Sequence, residues 1–486
     1  MTAGGVTAVT GGVTAVTAAA QAAVTAVRRF MIPLVRTEVP HRCRMSAMRV
    51  LRTRALTAFL SQSHATFVQP ALSGARPRVA RALATLAQSN PHGGDHMPPG
   101  LGLPSSSRSM RLPPFTFESN VTLPMLSLGY NTYGKLNATG TNAILVGHSL
   151  TSNSCVHEWW APLLGAGPRF VLDTDRYFIV CVNLLGSVYG SDGPLSRDAR
   201  GLPYGATFPV ATIRDNARAQ IALLRELGVK ELAAAIGGSL GGMIALETAL
   251  VEPAFVRSLM LIATCAAHPG WAIALGAAGR AAVFADAKWR DGLYARHNTP
   301  PPLEGLAVAR QFAMLSYKSP ASVDEKFGRT LNPNDDDGNA RQADSFADEP
   351  TQNAPSFVVE SYLTYQGEKF RRRFDPCAYV RMTQLLDSHD VGRSRGGTAN
   401  ALRSLAHRTL VVGIDSDGLY PLQLQRELAS AIPSADMFTI SSPHGHDSFL
   451  IHLDELNETC VAWRDGTTHT LSNSATLRHE HINRSC

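Results

Sequence analysis

Ile236-Gly237-Gly238-Ser239-Leu240-Gly241-Gly242-Met243 is the stretch on which the reading of this chain turns. An apolar run, Leu232 to Ile236, precedes it, and a helix-like run, Ile244 to Val251, follows. A strand, a glycine-crowded turn around one serine and then a helix form the setting in which a serine becomes a nucleophile. Gly237, Gly241 and Gly242 suit a turn too tight for bulk beside the serine. The serine Oγ then stands above the sheet at the positive end of the next helix, where anionic intermediates are stabilised.

The chain has 486 residues, 44% hydrophobic and 17% charged, which allows a sizeable core with extensions. No run reaches the roughly 18 consecutive apolar residues of a membrane span, so no membrane partner is expected. The cysteines at 43, 155, 181, 265, 377, 460 and 486 form no CxxC pair and no metal-ligand spacing. That pattern predicts reduced thiols and no metal site. No GxGxxG follows a strand, so a nicotinamide cofactor finds no support. The net charge of +6 is uneven: residues 1–94 hold eleven Arg, no Lys and one acid, Glu38, for +10, which leaves −4 on the rest. The basic excess therefore says nothing for a nucleic-acid surface on the folded body.

Residues 1–17 contain a seven-residue tandem repeat, Gly-Gly-Val-Thr-Ala-Val-Thr, too short for a solenoid. From Arg28 to Ala87 the chain is rich in Arg, Ala, Ser and Thr and nearly free of acids, the composition of an organelle transit peptide. Mitochondrial delivery is the expectation; Met31, Met45 and Met48 are alternative starts that would shorten the segment and favour the cytoplasm. Residues 1–110 are read as a disordered extension. A core at 111–265 and 391–463 flanks a helical insertion at 266–390, and 464–486 is read as a flexible tail. Within the core, Phe115–Tyr133 alternates like hairpin strands, and Ala143–Gly147, Arg176–Leu185, Ser258–Thr264, Arg408–Asp415 and Met437–Ser441 read as strands. Thr212-Ile213-Arg214-Asp215 is a capping box that opens a helix to Leu227. Strands alternating with helices predict a mostly parallel α/β sheet covered on both faces. Helical runs at 272–284, 305–317 and 357–370 with an acidic loop at 331–353 fit a lid over the sheet's C-terminal edge.

A serine hydroxyl is a weak nucleophile, so a histidine must take its proton and a carboxylate must hold that histidine. Ser239 is followed by Asp415 and Asp417, then by His444 and His446, each pair after a predicted strand. Serine, acid, histidine is the triad order of the α/β-hydrolase fold. The tetrahedral oxyanion needs two backbone N–H donors. Leu240 follows the nucleophile and supplies one; the loop His148-Ser149-Leu150 is the candidate for the other.

Beyond these residues the chain resembles the homoserine O-acyltransferases, acyl-CoA-dependent members of the α/β-hydrolase superfamily. The resemblance spans about 112–463 and rests on Tyr133-Gly134-Lys135-Leu136-Asn137, Trp159-Trp160, Pro203-Tyr204-Gly205, the elbow, Gly305-Leu306-Ala307-Val308-Ala309-Arg310, Gln366-Gly367-Glu368-Lys369-Phe370, Ser416-Asp417-Gly418-Leu419-Tyr420-Pro421 and Gly445-His446-Asp447. It implies Ser239, Asp417 and His446 as the triad, with Leu150 and Leu240 as oxyanion donors. It further implies Arg310 on the substrate carboxylate, Asp447 on its ammonium group and Tyr317 in the same pocket.

Relatives that use succinyl-CoA carry an arginine where this chain has Leu419, which tilts the acyl donor to acetyl-CoA. The expected reaction moves acetyl to L-homoserine through an acyl-serine, with no bound cofactor, in a homodimer. The alternatives are a serine O-acyltransferase or an esterase or thioesterase of the same fold. The segment Trp271-Ala272-Ile273-Ala274-Leu275-Gly276-Ala277-Ala278-Gly279-Arg280 departs from the family pattern, keeping only its tryptophan, isoleucine and arginine. That departure bears on the choice of acceptor.

Overall fold

The sheet on which the site is built has eight strands, which lie across it in the order Arg108–Leu112, Leu126–Tyr133, Phe178–Val182, Ala143–Gly147, Leu232–Gly238, Ser258–Ile262, Arg408–Ile414 and Ala435–Ile440. The computed structural model describes residues 107–332 and 356–467. The strands are β1 (Arg108–Leu112), β4 (Leu126–Tyr133), β5 (Ala143–Gly147), β8 (Phe178–Val182), β9 (Leu232–Gly238), β10 (Ser258–Ile262), β11 (Arg408–Ile414) and β12 (Ala435–Ile440). Two-residue strands β2 (Phe115–Thr116) and β3 (Thr122–Leu123) form a separate hairpin, and β6 (Leu164–Gly165) pairs with β7 (Leu172–Asp173). From β8 to β12 every pairing is parallel, while β4 runs antiparallel to both β1 and β8. Central strands bury both faces. Ile144, Val146, Ile236, Met260 and Val412 face one apolar layer, and Leu145, Ala235, Leu261 and Val411 face the other. Burial on both sides makes such strands unbroken apolar runs in the sequence.

The helices that matter for the site follow in chain order: α1 (Val156–Trp159), α2 (Ile213–Glu226), α3 (Leu240–Val251), α4 (Gly270–Ala285), α5 (Leu303–Tyr317), α6 (Pro320–Phe327), α7 (Val358–Arg371), α8 (Pro376–Asp387), α9 (Thr398–Arg403), α10 (Leu422–Ala431) and α11 (Leu453–Arg464). The capping box at the head of α2 is formed: Asp215 N donates to Thr212 Oγ1 at 3.0 Å, and Thr212 N donates to Asp215 Oδ2 at 3.1 Å.

Helices α4 to α8 lie between β10 and β11, and the chain leaves and re-enters the sheet region at one place. His268 N donates to His389 O at 2.9 Å and Val391 N to Ala266 O at 3.0 Å, closing the base of the insertion. Helix α5 packs against both α4 and α7. The insertion is seated on α3 by an apolar layer that includes Leu240, Ile244, Leu306, Phe370 and Phe374, the last two stacked at 5.0 Å.

Two boundaries move. Residues 107–110 belong to the folded part rather than to the disordered extension, because β1 starts at Arg108 and pairs with β4. As an edge strand it turns charged side chains to solvent, which disguises it as loop. At the other end, Arg464 is not in a flexible tail: it donates to Phe170 O at 2.6 Å and Pro168 O at 2.7 Å. The tandem repeat, the transit-peptide segment, most of the acidic loop and residues 468–486 lie outside the described residues.

The turn at Ser239 depends on a contact between two backbones. A Cβ built on Gly241 would lie 2.0 Å from Gly147 O, and one on Gly147 would lie 2.4 Å from Gly241 O. The end of β5 and the first turn of α3 therefore touch with no side chain between them. Gly241→Ala is expected to force these backbones apart, costing at least the ~1–3 kcal/mol of overpacking. The midpoint of chemical denaturation reads that loss; an unchanged midpoint would show the contact to be slack.

Candidate active site

Ser239 is the residue that bends the chain from β9 into α3, and it does so at φ 58°, ψ −123°. Positive φ is strained for a side chain larger than glycine. Neighbouring bonds hold the strain: Ser239 N donates to Ile262 O at 2.9 Å, and Thr264 Oγ1 donates to Ser239 O at 2.8 Å. Its amide thus leans on β10 and its carbonyl on the residue just beyond.

His446 sits on a short 3-10 turn after β12, with its Nε2 2.9 Å from Ser239 Oγ. Its Nδ1 is 2.7 Å from Asp417 Oδ2. The other carboxylate oxygen of Asp417 accepts from Leu419 N at 2.9 Å and Tyr420 N at 2.8 Å. All three side chains are buried. The acid is fixed by its own loop, so it presents one oxygen to one ring nitrogen. That selects the tautomer with its proton on Nδ1 and leaves Nε2 to accept from the serine. The two neighbours left open by order alone go elsewhere. Asp415 accepts from Ser441 Oγ at 2.7 Å and Ser442 N at 3.0 Å, tying β11 to the end of β12. His444 faces His452, ring centroids 5.7 Å apart.

Burial disfavours a charged His446, yet the carboxylates of Asp417 and Asp447 outweigh it and hold its pKa above the usual imidazole value. His268, on the cavity wall and bonded to Tyr420 Oη through Nδ1 at 3.1 Å, goes the other way. Burial, helped by His389 and Arg280, lowers it to about 4.

A cavity of about 260 Å³ opens over Ser239 and His446. The body contributes Leu150, Leu419 and Asp447 to its wall, and the insertion contributes Leu275, Arg310 and Tyr317. Arg310 stands out: its Nε and Nη1 are buried and have no hydrogen-bond partner. Its guanidinium lies over the rings of Phe370, at 5.0 Å, and Tyr317, at 5.5 Å. Buried donors without acceptors are costly and call for a ligand or water. Asp447, expected to meet an ammonium group, is 2.8 Å from Lys318 Nζ. Of the altered segment, Leu275 and Gly276 line the cavity, Gly279 packs on Tyr379 and Ala309, and Arg280 pairs with Asp387 at 2.8 Å. The amides of Leu240, at the head of α3, and Leu150, in the loop after β5, are the expected oxyanion donors.

Sequence reasoning missed several residues. Lys318 follows the Arg310 helix by one position but gives no local sign of its partner. Phe449 lies against Gly238, where a Cβ would be 2.5 Å from its ring, and its ring is 5.5 Å from that of His446. Tyr420 meets His446 edge-on at 5.1 Å and lay unremarked within a motif already singled out. Cys155, His157 and Glu158, not grouped by sequence reasoning, bring ligand atoms within 4.8 Å of one another. None of the three lines the cavity, and His157 Nδ1 is bonded to Tyr133 Oη at 3.0 Å.

Comparison with known proteins gives the same outline. The family model for the alpha/beta hydrolase fold matches residues 142–453. A homoserine O-acetyltransferase of Salinibacter ruber is 46% identical over 363 residues, 74% of this chain and 97% of its own length. The solved homoserine O-acetyltransferase of Bacillus anthracis matches with a TM-score of 0.66 at 22% identity, over 74% of this chain and 97% of that one. Esterase E22 matches with a TM-score of 0.64 at 22% identity, over 74% and 99%. The last two likenesses speak for the fold alone.

The raised pKa of His446 has a kinetic consequence. The base must be neutral, so acylation of Ser239 is expected to slow as pH drops through a value above the ordinary ~6.5 of histidine. Asp447→Asn removes a carboxylate and leaves Lys318 unpaired, and both changes disfavour the imidazolium. The acid limb should then move to lower pH. Rapid-mixing release of p-nitrophenol from p-nitrophenyl acetate measures it; a limb that stays put or moves up would contradict the assignment.

Proposed function

The chain belongs to the homoserine O-acetyltransferase family of the α/β-hydrolase fold, and from that premise we propose that it transfers acetyl from acetyl-CoA to the hydroxyl of L-homoserine. The observation that carries the acceptor is Arg310: a buried guanidinium with unpartnered nitrogens in the cavity that holds the Ser239–His446 pair. A free amino acid brings the carboxylate that such a group lacks. A simple ester of an apolar alcohol does not.

In the proposed mechanism His446 Nε2 takes the Ser239 proton as Oγ attacks the thioester carbonyl. Leu150 and Leu240 amides hold the oxyanion, which forms at the head of α3. The C–S bond breaks, the sulfur takes the proton from His446, and CoA leaves as the thiol. The acetyl group remains on Ser239. Homoserine then enters with its carboxylate on Arg310 and its ammonium on Asp447, with Tyr317 along the pocket wall. His446 takes the hydroxyl proton, the new ester forms, and Ser239 recovers its proton. The insertion acts as the lid of this reaction: it furnishes about half of the cavity wall and keeps water from the acyl-serine.

Leu419, buried beside Asp417 on the cavity wall, supports acetyl over succinyl. A distal carboxylate there would face an apolar side chain and lose its hydration without gaining a partner. The homodimer belongs to the same proposal. Val308, Phe312 and Leu315 form an exposed apolar row on α5, with Ile273 and Phe284 on α4 and Tyr365 on α7. A two-fold axis lets one such patch cover its own copy.

Incubation with acetyl-CoA or succinyl-CoA, each with L-homoserine or L-serine, and product mass identification test the reaction. Beyond the one equivalent that forms the acetyl-enzyme, acetyl-CoA should be consumed only with homoserine; continued turnover that ignores the acceptor would identify a hydrolase. Ser239→Ala should abolish the acetyl-enzyme and lower kcat by at least about 10^4-fold. Arg310→Ala should raise KM for homoserine roughly 10- to 100-fold, the worth of hydrogen bonds to a charged group, and leave CoA release from the first half-reaction intact. Equal loss in both half-reactions would deny Arg310 its place at the carboxylate.

A further inference from the structure

We propose that Arg373 is a positioning residue through which the helical insertion sets the oxyanion loop of the body. The proposal rests on the roles given above to Ser239 and to the Leu150 amide.

The loop that follows β5 is held from two sides. On the body side, the buried imidazole of His148 lies with Nδ1 2.8 Å from Ser149 O. A carbonyl can only accept, so the proton is on Nδ1. Burial keeps this ring neutral, its pKa lowered to about 4. The C=O of Ser149 and the N–H of Leu150 belong to one peptide unit, and in a trans peptide they point in opposite directions. Anchoring the carbonyl therefore aims the amide. Ser152 N also donates to Ser149 O, at 3.1 Å, which closes the turn.

On the insertion side, Arg373 lies on the connection between α7 and α8. Its Nη1 donates to Thr151 O at 2.9 Å and to Tyr189 Oη at 2.7 Å. Both protons of that nitrogen are thus used, one on the loop and one on a buried tyrosine. Tyr189 extends the hold: its carbonyl accepts from Asn183 Nδ2 at 2.6 Å, and Asn183 Oδ1 accepts from Ser154 N at 2.7 Å. The loop is pinned at 149, 151 and 154, and only the middle pin comes from the insertion. The guanidinium itself rests on Phe370, 5.1 Å from the ring centroid. Phe370 is also the ring under Arg310. One aromatic side chain therefore places both the cation proposed for the acceptor and the cation that fixes the oxyanion loop.

Arg373 also reaches the cavity wall, which gives it a rival role in holding the acceptor carboxylate. The two roles separate in the first half-reaction, which contains no acceptor. Full-length Arg373→Gln, Arg373→Lys and Tyr189→Phe proteins are mixed with acetyl-CoA alone, and the rate of CoA release is followed beside thermal melting. A loosened oxyanion donor slows acyl-enzyme formation. The expected loss is roughly 10- to 100-fold for Arg373→Gln, the effect of a misplaced rather than a deleted donor. Arg373→Lys should recover part of the rate, because an ammonium group can still donate to Thr151 O. Tyr189→Phe should show a smaller loss with the same sign. KM for homoserine and the melting temperature should change little.

Normal CoA release in Arg373→Gln with a raised KM for homoserine would overturn the proposal and assign the residue to the acceptor. So would a loss of rate that tracks a lowered melting temperature and is not rescued by lysine. If Arg373→Gln does not fold, normal release in Tyr189→Phe and Arg373→Lys together is the overturning result. Stoichiometric CoA release by Ser239→Ala would instead refute the underlying nucleophile assignment, whatever the Arg373 variants do.

Discussion

Gly147 and Gly241 meet backbone to backbone, and the geometry of the site is measured from that contact. The oxyanion loop begins one residue after Gly147, and the nucleophile stands two residues before Gly241. Strand β5 and helix α3 can approach this closely only if neither carries a Cβ at the crossing. Gly237 completes the arrangement, since a Cβ there would lie 2.2 Å from the Gly241 carbonyl carbon. The spacing between the Ser239 backbone and the amides proposed to hold the oxyanion is therefore set by main-chain atoms. Side chains adjust rotamers easily, whereas packed main chain does not. The acid and the base arrive separately, from the ends of β11 and β12, whose parallel register runs from Thr409 opposite Ala435 to Ile414 opposite Ile440.

Much of this was legible because buried parallel strands leave an unmistakable trace. Ala143–Gly147, Leu232–Ile236, Ser258–Ile262 and Arg408–Ile414 are apolar runs bounded by turn residues, and a turn after each is where a parallel sheet displays its working residues. The edge strand β1 was illegible because its arginines face solvent. Helices α6 and α8 went unread although each carries a start signal: Ser319 caps Pro320, and Asp375 caps Pro376, with Asp375 Oδ1 accepting from Ala378 N at 2.8 Å. Which histidine meets Ser239, and which aspartate meets that histidine, was beyond spacing alone. Asp415 and Asp417 lie two residues apart, and only the turn between them decides which one faces the sheet's C-terminal edge. Contacts such as Arg373 with Thr151 and Lys318 with Asp447 join segments more than a hundred residues apart, and no local pattern encodes them.

Charge around the cavity explains why the base is tuned as it is. Asp417 is satisfied by two amides and one imidazole, so it stabilises an imidazolium without taking its proton. Asp447 adds a second negative field, moderated by Lys318 at 2.8 Å. In the proposed reaction the ammonium of the acceptor comes to a carboxylate that already has a cation. Where it shares that carboxylate with Lys318, a second cation stands beside Asp447, which disfavours protonated His446 and favours the neutral base that the second half-reaction needs.

The same triad serves hydrolases and transferases, so the difference must lie in what competes with water at the acyl-serine. Water needs no binding site; an alcohol at millimolar concentration does, and it must be about as well placed as an intramolecular reactant to win. A guanidinium held over Phe370 and Tyr317 has two buried nitrogens that meet no acceptor from the protein. A ligand carboxylate supplies one, and the binding energy so released fixes the position of the acceptor hydroxyl near His446. A small apolar alcohol gains nothing from Arg310, and water does not bring a negative charge to it. In the proposed reaction the step from hydrolysis to transfer is then made by one arginine that has no acceptor from the protein, in a cavity walled partly by the helix that carries it.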